Sequence, residues 1–118
     1  MRSVFIVEDE ELITRLYSDV LTMRGYDIIG SASNGEEALE KYRKLPSRPD
    51  VILLDHRMPG MGGLAAARTI LKEDPEARII VVSADEGAIQ EALKMGLFAM
   101  KKPFNLRDLL VTLEIAVL

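Results

Sequence analysis

The sequence predicts an α/β fold: one five-stranded parallel sheet, doubly wound by five helices, with strand order 2-1-3-4-5. Three observations predict it. Short aliphatic runs alternate along the chain with segments of helical periodicity. The runs are nearly continuous, as in strands buried on both faces. Glycine or proline closes four of the helical segments, so the connections stay short.

The elements follow in order. Val4 to Val7 is an apolar run closed by Glu8 and Asp9. Residues 10 to 24 carry apolar side chains at Leu12, Ile13, Leu16, Tyr17, Val20 and Met23, which is helical spacing stopped by Gly25. "YDIIGSA" reads as the second strand. Asn34 caps a helix with Ala38, Leu39 and Tyr42 inward, ended before Pro46. Val51 to Leu54 is the third strand. A third helix runs from about Leu64 to Lys72, stopped by Asp74-Pro75. "ARIIVVSA" is the fourth strand. Asp85 opens a helix with Ala88, Ile89, Ala92 and Leu93 inward and Gly96 as its stop. "LFAMKK" is a weak fifth strand. Asn105, with Asp108 three residues on, opens a last helix whose inner stripe is Leu106, Leu109, Leu110, Leu113 and Val117. Right-handed crossovers leave few topologies for this alternation, and the flavodoxin-like order fits five strands.

Composition bounds the function. The 118 residues suffice for a single domain, read as spanning 1–118. Hydrophobic residues are 48% and charged residues 29%, the balance of a globular chain rather than a disordered one. A net charge of -4 argues against a general nucleic-acid or membrane binder. Cysteine is absent, which removes disulfides and thiolate metal sites and fits a reducing compartment. No apolar run reaches bilayer length, and "MRSVFIVEDEE" turns acidic too early for a secretory signal, so a cytoplasmic protein is expected.

In the predicted topology the carboxyl edge collects chemistry. The first strand ends in Glu8-Asp9, the third in Asp55, the fourth in Ser83 and the fifth in Lys102-Pro103. Three crowded carboxylates repel, and a hard divalent cation relieves them; a few carboxylates plus waters suit Mg²⁺. A phosphoryl group here would meet the metal, the Lys102 ammonium and the Ser83 hydroxyl. A carboxylate can act as its nucleophile, and the central Asp55 is the candidate. His56 is the one histidine and, with no second His or Cys near it in sequence, reads as an exposed or hydrogen-bonded loop residue.

The stretches "IVEDEE", "VILLDHRMPGMGG", "VVSA" and "KKPF", in this order and spacing, resemble the response-regulator receiver domain of two-component signalling, the CheY-like group. The resemblance covers essentially the whole chain. It implies Asp55 as phosphoacceptor, and Glu8, Asp9, Asp55 and the Arg57 backbone carbonyl as Mg²⁺ ligands. It implies Ser83 and Lys102 as the groups that meet the phosphoryl oxygens, and a cis Lys102-Pro103 bond. It further implies a sensor histidine kinase or phosphotransfer protein as donor. A downstream protein target would be engaged through the fourth helix, fifth strand and fifth helix. Such a module catalyses only its own phosphorylation and dephosphorylation. With no effector segment after the last helix, a stand-alone receiver is expected, as monomer or weak dimer, without direct nucleic-acid or membrane contact. The chain departs from the family pattern at Glu8, where aspartate is usual, and at Ala99, where many members carry an aromatic switch residue; here Phe98 lies one position earlier.

Other readings fit less well. A Mg²⁺-dependent phosphatase of the haloacid dehalogenase type places a second aspartate two residues after its nucleophile, whereas Glu10, Glu11 and Leu12 follow Asp9. A flavin carrier needs a neutral, hydroxyl-rich loop where this chain has four acids in succession. A degenerate receiver acting only as an interaction module is countered by the intact Asp55 and Lys102.

Overall fold

The computed structural model describes residues 2–56 and 62–118. Five strands, β1 (Ser3–Val7), β2 (Asp27–Ala32), β3 (Val51–Asp55), β4 (Ile79–Ser83) and β5 (Phe98–Lys101), alternate with five helices. The helices are α1 (Glu11–Met23), α2 (Gly35–Lys44), α3 (Gly63–Glu73), α4 (Glu86–Lys94) and α5 (Leu106–Ala116). All neighbouring strands pair in parallel, in the order β2-β1-β3-β4-β5. The expected fold class and order are therefore those of the molecule.

Period-two alternation divides the core between the two faces of the sheet. Phe5, Val7, Ile52, Leu54, Ile79 and Val81 pack with Ala38, Tyr42, Ala67, Ile70 and Ala92, beneath α2, α3 and α4. Val4, Ile6, Val51, Leu53, Ile80 and Val82 pack with Tyr17, Leu21, Leu109 and Leu113, beneath α1 and α5. Strands buried on both faces have no polar row to spare, so polar side chains are displaced to the strand ends. Register slips once, between Val4 and Phe5, where Phe5 pairs with Gly30. The Phe5 ring closes on that glycine: a Cβ there would lie 3.2 Å from two ring carbons.

The cap residues behave as their chemistry predicts. Asn34 Oδ1 accepts from the Glu37 N–H at 2.8 Å, Asp85 Oδ1 from Gly87 N–H at 3.1 Å, and Asn105 Oδ1 from Asp108 N–H at 2.8 Å. Among the described residues, no helix is long and apolar enough to cross a membrane.

Two inward assignments, Leu93 and Leu106, are corrected, and the structure selects which apolar stripe of α1 faces inward. Leu12 is 77% exposed and Met23 86%, and Leu16 is also exposed. The residues of α1 that face the sheet are Ile13, Tyr17 and Leu21. The helix carries two adjacent apolar stripes one residue apart, and periodicity alone does not select between them. Leu93 and Leu106 are exposed for the same reason, each lying just off the row that meets the sheet.

Candidate functional site

Among the described residues, the buried polar or charged side chains are Glu8, Asp55 and Ser83. All three lie at the carboxyl ends of strands, on the edge where β1, β3 and β4 run side by side. Burying polar groups costs free energy unless they are paired, so their collection at one place marks a built site.

Asp55 is the last residue of β3. The Lys102 ammonium sits 3.2 Å from Asp55 Oδ2. Lys102 is held there by the sheet: its N–H donates to the Ser83 carbonyl at 2.9 Å, one step beyond the pairing of Ser83 with Lys101. The Lys102-Pro103 bond is cis, as the resemblance implies. Ser83 Oγ accepts from the Asp85 N–H at 3.0 Å, an ST-type turn that ties the hydroxyl to the start of α4. A hydroxyl that accepts one bond keeps its own O–H for donation. Lys101, in contrast, turns away from the site and pairs with Glu86 at 2.9 Å.

Glu8 follows β1 directly, and its N–H still donates to Ala32 O at 2.9 Å. Its Oε2 accepts from the Glu10 N–H at 3.0 Å. Burial, reinforced by the neighbouring Asp9 and Asp55 carboxyl groups, pushes the Glu8 carboxyl up to about 8. The hydrogen bond from Glu10 opposes this and does not prevail. Burial, then the charges of Glu8 and Asp55, likewise push the Tyr17 phenol up to about 12. Both shifts have the same leading cause, burial at the strand tips, with the neighbouring carboxyl groups adding to it.

Carboxylate oxygens of Glu8, Asp9 and Glu10 come within 4.8 Å of one another. The sequence groups Glu8 and Asp9 with Asp55, and Glu10 reads there only as an acid at the start of a helix. The structure adds Glu10, the N-cap residue of α1, to the acidic cluster, and places Asp55 beside Glu8. The signal for Glu10 was its place next to the pair, at the turn that starts α1. Arg57 lies outside the described residues. Of the two readings of His56 the hydrogen-bonded one holds: its Nδ1 accepts from the Leu64 N–H at 3.4 Å. Beside Lys102 opens an apolar cavity of about 530 Å³, walled by Ile13, Leu16, Tyr17, Pro103, Phe104 and Leu106.

Known proteins share this arrangement of elements. The response regulator receiver domain matches residues 4–114. The chemotaxis protein CheY of Thermotoga maritima is 41% identical over 97 residues, which cover 80% of this chain and 79% of that protein. A chain of the CheX-CheY-BeF3-Mg+2 complex from Borrelia burgdorferi superposes with a TM-score of 0.91 at 29% identity, covering 99% of this chain and 90% of that one. The response regulator TrrA of Thermotoga maritima, in complex with Mg(2+)-BeF, superposes with a TM-score of 0.86 at 31% identity, over 98% of this chain and 99% of its own. The match takes in all or most of every strand and helix, and the chain belongs to the response-regulator receiver domain family of two-component signalling.

Proposed function

We propose that residues 1–118 form one receiver that takes a phosphoryl group on Asp55 from a phosphohistidine of a sensor kinase or phosphotransfer protein. The observation that carries this reading is the 3.2 Å contact between Lys102 Nζ and Asp55 Oδ2, beside buried Glu8 and Ser83. An Asp55 oxygen attacks phosphorus and a P–O bond forms. The P–N bond to the donor imidazole breaks, and its electron pair leaves with the nitrogen. Lys102 lies close enough to follow negative charge from the carboxylate onto the phosphoryl oxygens, and the Ser83 O–H can donate to one of them.

The donor set fits a magnesium ion. It is all oxygen and acidic, with Glu8, Asp9 and Glu10 carboxylate oxygens within 4.8 Å of one another and Asp55 beside Glu8. Glu8, Asp9 and Asp55 would hold the ion, with the Arg57 carbonyl as a further ligand. When bound, Mg²⁺ supplies positive charge against the carboxylates and the phosphoryl oxygens. TrrA and the Borrelia CheY complex, which contain Mg²⁺ and a beryllofluoride, support this reading.

The output follows from connectivity. Ser83 is tied to the start of α4 through Asp85, and Lys102 follows β5. New bonds from both to a phosphoryl group would pull on α4 and β5. The face of α4, β5 and α5 is therefore the one proposed to change its affinity for a protein target in the cytoplasm. The test is incubation with Mg²⁺ and acetyl phosphate, followed by intact mass and site mapping. The expected result is one phosphoryl group on Asp55 and none on Asp55→Asn. Modification of Asp55→Asn at another residue, at the wild-type rate, overturns the assignment.

A further inference from the structure

The first turn of α3 begins with Gly62 at its N-cap position, and Gly62 has no side chain to offer. A helix start leaves N–H groups that need acceptors from outside. Here both acceptors come from one residue eight positions upstream. The Gly63 N–H donates to the His56 carbonyl at 3.1 Å, and the Leu64 N–H donates to His56 Nδ1 at 3.4 Å. The imidazole lies close enough to Gly62 that a Cβ there would touch its Cε1 at 3.7 Å and its Nδ1 at 3.9 Å. The His56 backbone is itself fixed, because its N–H extends the β3–β4 ladder to Val82 O at 3.1 Å. The helix start so held lies against the tip of β3. A Cβ on Gly63 would collide with the Asp55 carbonyl oxygen, with Leu54 Cδ2 at 2.5 Å and with His56 Cα at 2.7 Å.

We propose that His56 is a positioning residue for Asp55. Its Nδ1 caps α3 from across the chain, and the capped helix braces the peptide that aims the Asp55 carboxylate. The inference deepens the reading of Asp55 as phosphoacceptor and rests on it. The cap requires the tautomer with Nδ1 bare and the proton on Nε2, since only a bare nitrogen accepts. Asparagine can imitate it, because its side-chain oxygen is an acceptor; leucine fills the space and accepts nothing.

The experiment compares wild type, His56→Leu and His56→Asn. Imidazole ¹⁵N shifts are expected to show Nε2 protonated, and the Leu64 amide is expected to be protected from exchange in wild type and His56→Asn but not in His56→Leu. Phosphoryl uptake from acetyl phosphate should fall about tenfold in His56→Leu, the order of loss expected from a small misplacement of a reacting group. It should return to within about twofold in His56→Asn. A proton on Nδ1, wild-type uptake by His56→Leu, or His56→Asn as slow as His56→Leu overturns the proposal. If His56→Leu does not fold, the tautomer and the His56→Asn uptake decide alone. A wild type that takes up no phosphoryl group while Leu64 stays protected refutes the function of Asp55 and not the cap.

Discussion

Gly63→Ala is a one-carbon change whose cost can be worked from the structure. The added Cβ would meet the Asp55 carbonyl oxygen, Leu54 Cδ2 at 2.5 Å and His56 Cα at 2.7 Å. Two of these are backbone atoms at the tip of central strand β3 and just beyond it, and cannot rotate away. Relief comes only if α3 draws back or the tip of β3 shifts. Overpacking of this kind costs about 1–3 kcal/mol, and backbone neighbours put it at the upper end. Alanine gains about 1 kcal/mol over glycine in a helix, which offsets part. The net loss is about 2 kcal/mol. At about 2 cal/mol/K of unfolding entropy per residue, a chain of this length loses roughly 8 °C in Tm. The control is Gly62→Ala, whose Cβ would find its nearest neighbour, the His56 carbonyl oxygen, at 3.6 Å. That is ordinary contact, and the expected change is within about 2 °C. Calorimetric melts of the three proteins read the effect. Gly63→Ala melting within 2 °C of wild type, or Gly62→Ala falling as far as Gly63→Ala, refutes the close approach.

Three further outcomes are expected. In metal-free protein the raised Glu8 carboxyl makes the folded state bind a proton that the unfolded chain has lost, so stability falls as pH rises from about 4.5 to about 8; Glu8→Gln should flatten that slope in melts across the range, and Mg²⁺ should do the same in wild type. Asp9→Ala should weaken Mg²⁺ binding, read by NMR titration, more than Glu8→Ala does, because Asp9 is exposed to an arriving ion while buried Glu8 must first release a proton. The exposed pair of Arg43 with Glu73, at 2.5 Å, should matter little: Arg43→Ala is expected to leave the unfolding midpoint in denaturant titrations close to that of wild type.

The fold was legible because strand and helix announce themselves differently in this chain. Runs such as Val51 to Leu54 and Ile79 to Val82 are apolar at every position, and only a sheet covered on both faces buries them all. Helix rotation was harder to read. In α1 the stripe of Leu12, Leu16 and Met23 and the stripe of Ile13, Tyr17 and Leu21 are equally periodic, and the choice between them is made by where the sheet lies. That is tertiary information, absent from a helix taken alone.

The site was legible for a related reason. A strand with no polar row leaves its first polar residue conspicuous at the tip, so Glu8, Asp55 and Ser83 stood out and are the side chains found buried together. Lys102 stood out because a proline follows it, and the ammonium is found against Asp55. Glu10 and His56 each have an ordinary local reading that names no partner. An acid in a first turn suits the helix dipole, and a histidine after a strand suits a loop. What changes both readings is contact made by folding: Glu10 joins Glu8 and Asp9 within 4.8 Å, and His56 turns its ring to the N–H of Leu64, eight residues on. The residues that do chemistry could thus be found from strand ends, whereas those that hold them in place depend on which helix start comes to rest against which strand tip.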